Sequence, residues 1–148
     1  MTPTSAEPKA ATDTAAATAT LVFDGDCGFC TRTVLWLGER WARPVRSVPW
    51  QSADLAALGL TEEQTRRAAW WVGAADETPR RRGGGHRAVA YALGACRPPW
   101  PVLGWILRAP PPLSWIFAAG YRLVARFRGY LPGATPACRL PSWPPDQH

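Results

Sequence analysis

Cys27 and Cys30 carry the chemistry that is most readable in this 148-residue chain. They close the tetrad Cys27-Gly28-Phe29-Cys30, which follows Leu21-Val22-Phe23-Asp24-Gly25-Asp26. An apolar run stops at a turn-forming Asp-Gly-Asp triplet, and a helical pattern then begins. A strand, a tight loop and a helix N-terminus present a redox dithiol in this way. The thiolate is the reactive form of cysteine, and the N-terminus of a helix stabilises negative charge. Cys27, in the exposed first turn, would attack a disulfide and form a mixed disulfide. Cys30, on the next turn of the same face, would resolve it. Gly28 and Phe29 would supply loop freedom and an apolar contact for a protein substrate.

The neighbouring groups have more than one use. Asp24 can satisfy backbone N–H groups of the loop or cap the helix. It can also accept a proton from Cys30 during resolution, if burial raises its pKa. Asp26 is expected in solvent, where its charge would oppose thiolate formation, and Arg32 reads as an exposed helix residue. The same cysteines could form half of a zinc site or a redox-sensing module. A structural zinc site needs about four ligands, however, and there is no second CxxC. Cys96, Cys138 and His86 show no ligand spacing among themselves. Cys96 reads as a core residue and His86 as a cap or surface residue. Cys138 is a bystander, a third redox thiol or a partner for Cys96. No metal and no cofactor is expected, because the dithiol itself carries the electrons.

The elements that must hold these residues follow from periodicity. Leu21-Val22-Phe23 is a short buried strand, and a helix runs from Cys27 to about Trp41 with Cys30, Val34, Leu37 and Trp41 on one face. Val45 to Trp50 is a second strand, placed near an edge by Pro49. Ser52 to Leu58 reads as a short helix ended by Gly59. Thr61-Glu62-Glu63-Gln64 has capping-box spacing and opens another helix. Ala69 to Gly73 is a strand, with Trp70 and Trp71 on opposite faces, and Arg80 to Gly84 returns beside it. His86 to Cys96 is helical. Pro101 to Arg108 and Leu113 to Arg128 give two more helices. In the last, Ile116, Phe117, Tyr121, Val124 and Phe127 form an apolar stripe, and Arg122, Arg126 and Arg128 a basic face. The expected fold is α/β, with the dithiol at the start of the first helix and a helical extension at the C-terminus.

Composition bounds the rest. Residues 1–19 are Ala, Thr and Pro with little to bury, so they read as a disordered tail. Residues 20–141 read as one domain and 142–148 as a flexible tail. The first 20 residues lack the apolar and basic regions of a secretory signal. Four cysteines without such a signal point to a reducing, cytoplasmic setting. The net charge of +6 comes almost wholly from scattered Arg residues and suits no nucleic-acid groove in particular. The apolar stretches fall short of the roughly 20 residues of a spanning helix. A basic amphipathic helix can lie on a membrane surface or dock a partner, but a folded domain ordinarily turns such a stripe inward.

The segment Asp24-Gly25-Asp26-Cys27-Gly28-Phe29-Cys30 resembles the motif of the DCC-type thiol–disulfide oxidoreductases, a bacterial family named for its Asp-Cys-Cys signature. Asp24, Cys27 and Cys30 fall on the three named positions. Gly85-His86-Arg87-Ala88-Val89 is similar to the family's later Gly-x-x-Ala helix start. Tyr121 to Arg128, followed by Ala137-Cys138-Arg139-Leu140-Pro141, is similar to its C-terminal pattern. The resemblance implies a thioredoxin-like fold and dithiol–disulfide activity. Protein or small-molecule disulfides would be substrates, and thioredoxin or glutathione the reductant. One departure from thioredoxin stands out. Thioredoxin has a cis-proline before the strand that faces the dithiol, whereas this chain has Arg67-Ala68-Ala69.

Overall fold

The computed structural model describes residues 18–130. Strand β1 (Ala19–Phe23) is followed by helix α1 (Gly28–Gly38), strand β2 (Val45–Pro49) and a 3-10 turn (Trp50–Ser52). Helix α2 (Glu62–Arg67), strands β3 (Trp70–Val72) and β4 (Arg82–Gly84) and helix α3 (His86–Gly94) complete the α/β unit. Helices α4 (Trp100–Ile106) and α5 (Leu113–Phe127) and a 3-10 turn (Arg128–Tyr130) extend it. The tails drawn from composition fall on residues outside the described span, except Thr18 and Ala19, and Ala19 opens β1.

The sheet order is β2-β1-β3-β4, with β1 and β2 parallel and the other pairs antiparallel. This is a thioredoxin-like arrangement, with the CxxC at the start of the first helix. All five residues of β1 are buried, which explains why four of the five are apolar. Alternation along the strands feeds two clusters. Leu21, Phe23 and Trp71 pack with Val34 and Leu37 of α1 and with Ala88, Ala92 and Leu93 of α3. Val22 and Val72 face the other way, onto Leu55, Leu58 and Leu60. Pro49 ends β2 at the sheet edge, where a missing N–H costs little.

Thr61 forms the expected capping box with Gln64 at the head of α2. Ser52 to Leu58 is not the expected helix. Only Trp50–Ser52 winds into a 3-10 turn, and the chain then bends through turns. Asp54 accepts from the Ala57 N–H, and the Leu60 N–H donates to the Leu55 carbonyl at 2.8 Å. That path drops three leucines onto the sheet, and their burial outweighs the local preference for helix. Gly59 sits at φ +64, as a tight turn demands. Gly104 lets α4 lie directly on α3, since a Cβ there would meet the Ala90 carbonyl at 2.5 Å.

The apolar stripe of α5 is corrected most sharply. Phe117 and Tyr121 turn half-buried toward the domain, while Ile116, Val124 and Phe127 are exposed. The helix packs through the Phe117–Tyr121 side of the stripe and leaves the rest of it outside.

Candidate active site

Cys27 is the N-cap of α1. Its Sγ accepts the Cys30 N–H at 3.3 Å, so the sulfur occupies the position of a capping oxygen at the positive end of the helix. The loop before it is shaped by Asp24, whose Oδ1 accepts the Asp26 N–H at 3.1 Å and Gln51 Nε2 at 3.0 Å. The Cys27 N–H closes the turn on the Asp24 carbonyl at 3.3 Å. Gln51 also accepts the Gly25 N–H at 3.2 Å. Gly25 is needed there, because a Cβ would lie 2.7 Å from Pro49. The end of β2 therefore braces the loop that presents the dithiol. Asp26 points into solvent and Arg32 is exposed, as expected.

Cys30 has a different setting. Burial pushes its thiol up to about 12, and the hydrogen bond and charge of Cys27 and the nearby Asp24 charge act in the same direction. One group opposes them. Arg128, just past α5, donates from one guanidinium nitrogen toward Cys30 Sγ at 3.8 Å and from the other to Asp24 Oδ2 at 3.0 Å. Arg128 is 29% exposed and its partner Asp24 17%. The three groups form a partly desolvated relay of charge in which Asp24 holds the arginine that faces the inner thiol.

Tyr121 completes the enclosure. Its ring lies against Gly85, where an added Cβ would meet it at 3.4 Å, and its oxygen accepts the Ala69 N–H at 3.1 Å. A proline before β3 would have no such N–H to offer. The alanine supplies one, and the phenol of α5 satisfies it. Burial raises the Tyr121 pKa, the bond to Ala69 opposes this, and the charges of both cysteines bear on it. It is a neutral hydrogen-bonding group beside the dithiol.

Three of these residues escaped the sequence reading. Arg128 reads in the sequence as one of a basic face with Arg122 and Arg126, and Tyr121 as part of the apolar stripe. Their signal was a spacing of seven, which sets two polar groups on one face of a helix two turns apart. Gln51 gave none. The other candidates lie elsewhere. Cys96 is buried in the core, its thiol directed at the Ala92 carbonyl at 3.4 Å. His86 is the first residue of α3 and has its pKa lowered by burial and by Arg87 and Arg122. Cys138 lies outside the described residues. Among the described residues, no three His, Cys, Asp or Glu side chains are grouped to hold a metal ion.

Residues 21–134, well over half of the chain, match the family described as DCC1-like thiol-disulfide oxidoreductase. The chain belongs to that family. The family's function is thiol–disulfide oxidoreduction, and the close Cys27–Cys30 pair fits a redox dithiol. No curated protein and no solved structure matched the chain. The match takes in the end of β1, the loop before the dithiol and the whole of α5. The DCC1-like region therefore includes both Tyr121 and Arg128. Among the described residues, no helix is long and apolar enough to cross a membrane.

Proposed function

We propose that this DCC1-like chain is an enzyme that exchanges disulfides with Cys27 as attacking thiolate and Cys30 as resolving thiol. The observation that carries this assignment of roles is the contrast between the two sulfurs. Cys27 Sγ accepts an N–H of the first turn of α1, whereas Cys30 is kept protonated by burial and lies under Arg128. In the first step the Cys27 thiolate bonds to one sulfur of a substrate disulfide, and the other sulfur leaves as a thiolate. That thiolate, or water, takes the Cys30 proton. The Cys30 thiolate then attacks Cys27 Sγ, the Cys27–Cys30 disulfide forms, and the second substrate sulfur departs. Two substrate thiols result, and two electrons have left the dithiol.

Arg128 stabilises the Cys30 thiolate as it forms. Asp24 acts as a positioning residue, holding Arg128 and the loop. Both of its carboxylate oxygens already accept hydrogen bonds, which favours that role over acceptance of the Cys30 proton. The substrates are protein or small-molecule disulfides. A cellular reductant, a thioredoxin system or glutathione, returns the electrons in a reducing compartment such as the cytoplasm.

The test is a trap. Cys30→Ser protein incubated with glutathione disulfide should accumulate a glutathione adduct on Cys27, located by peptide mass spectrometry. The wild type should pass through it to the internal disulfide. Cys27→Ser should form no adduct at neutral pH. An adduct that forms on Cys30 instead, or none on either cysteine, would remove the assignment.

A further inference from the structure

The outward face of α5 is an apolar seam. Leu113, Ile116, Gly120, Leu123, Phe127 and Tyr130 recur at alternating steps of three and four, the spacing that keeps side chains in one line along a helix. Ile116 is 65% exposed, Leu123 59% and Tyr130 88%. Trp115, 69% exposed, lies on the flank of this seam with Arg122 and Arg126. A continuous apolar surface of this kind marks an interaction site.

Charge distinguishes the occupants. From Thr78 to Tyr130 the sequence carries nine arginines and no aspartate or glutamate. A second copy laid on α5 would bring Arg122 and Arg126 against their equals, with no acidic residue on the helix to pair them. A surface of anionic headgroups would satisfy them. At 15 residues, α5 is about 22 Å long, too short to span a bilayer but long enough to lie in its plane. An apolar seam bordered by Trp and Arg is the pattern of interfacial helices.

We propose that α5 is a docking helix that lies flat on an anionic lipid bilayer. Ile116, Leu123 and Phe127 enter the acyl boundary, and Arg122 and Arg126 meet the headgroup phosphates. Tyr121 lies on the inner face of the same helix and Arg128 just past its end, so docking brings the dithiol within about one helix diameter of the membrane surface. The surface is independent of the redox assignment, since its side chains are exposed and are not among those that hydrogen-bond the dithiol.

Flotation of the full chain with vesicles tests it. The chain should rise with vesicles of equal phosphatidylglycerol and phosphatidylcholine at low salt, and should stay down with phosphatidylcholine alone. High salt should release most of it. Leu123→Asp and the double variant Arg122→Glu, Arg126→Glu should each cut the floated fraction more than tenfold. Circular dichroism and thiol release by the dithiol in solution should remain unchanged. Cys27→Ser, Cys30→Ser protein should float as the wild type does, which separates a failure of docking from a failure of the redox chemistry. Absence of flotation with anionic vesicles at low salt would overturn the proposal. So would undiminished flotation of the arginine variant. A lipid-free dimer in sedimentation velocity, abolished by Leu123→Asp, would overturn it in favour of a second copy.

Discussion

Replacing Arg128 by glutamine should slow the resolving step selectively. In the wild type the guanidinium lies 3.8 Å from Cys30 Sγ. Coulomb's law for unit charges at that separation gives about 4 kcal/mol at an effective dielectric constant of 20 and about 1 kcal/mol in water. With the arginine 29% exposed, the interaction lies between those limits, at about 2 kcal/mol. Arg128 lowers the Cys30 pKa, so its removal raises that pKa further. The Cys30 thiolate population then falls about thirtyfold. A more basic thiolate is a better nucleophile, with a Brønsted coefficient of about 0.4–0.5, which recovers about fivefold. The net effect is a resolving step about sixfold slower. Stopped-flow reaction of the reduced protein with 5,5′-dithiobis(2-nitrobenzoate), in a Cys96→Ala, Cys138→Ala background, separates the two steps. The first release of thionitrobenzoate depends on reagent concentration and reports attack by Cys27. The second does not, and reports displacement by Cys30. Arg128→Gln should slow the second phase about sixfold and shift its rise to higher pH, while Arg128→Lys retains part of the wild-type rate. A second phase within twofold of wild type, or a faster one, would refute the electrostatic role given to Arg128.

Other expectations follow from the same geometry. In Cys27→Ser protein, burial still holds Cys30 above the ordinary cysteine range, so alkylation by iodoacetamide should be slow at pH 7 and should accelerate only well above pH 9. Removing the phenol in Tyr121→Phe leaves the Ala69 N–H without its partner and should lower stability by about 1 kcal/mol, read from urea unfolding. Gly104→Ala forces a Cβ against backbone atoms of α3, including the Gly94 nitrogen at 2.9 Å. It should cost about 1–3 kcal/mol in the same assay, whereas Gly94→Ala, with open space around it, should cost nothing by crowding.

The strand, loop and dithiol were legible in the sequence because everything that defines them is local. A buried strand writes itself as an apolar run, the turn as Asp24-Gly25-Asp26, and the redox pair as two cysteines one helical turn apart. The capping box at Thr61 was legible for the same reason. Ser52 to Leu58 was misread because its conformation is decided at a distance, by the leucines it must deliver to Val22 and Val72. Helix α5 shows the other limit. Periodicity reports which side chains share a face, but it does not report which face packs. The stripe of Ile116, Phe117, Tyr121, Val124 and Phe127 reads as the inward side, yet only Phe117 and Tyr121 of it turn inward. Tyr121 is drawn inward by Gly85 and Ala69, and Arg128, just past the helix, by Asp24, all of them far away in sequence. A polar residue that closes an active site from about a hundred positions away leaves little local mark.

The central claim is that Cys27 and Cys30 form a redox-active dithiol, and a redox titration tests it most directly. The Cys96→Ser, Cys138→Ser protein would be equilibrated across glutathione and dithiothreitol buffers. Thiol labelling would then be read by mass spectrometry, with metal content measured in parallel. The expected result is a single reversible two-electron transition that joins Cys27 to Cys30 in metal-free protein. Labelling that does not change at any potential, or cysteines protected by bound zinc, would contradict it.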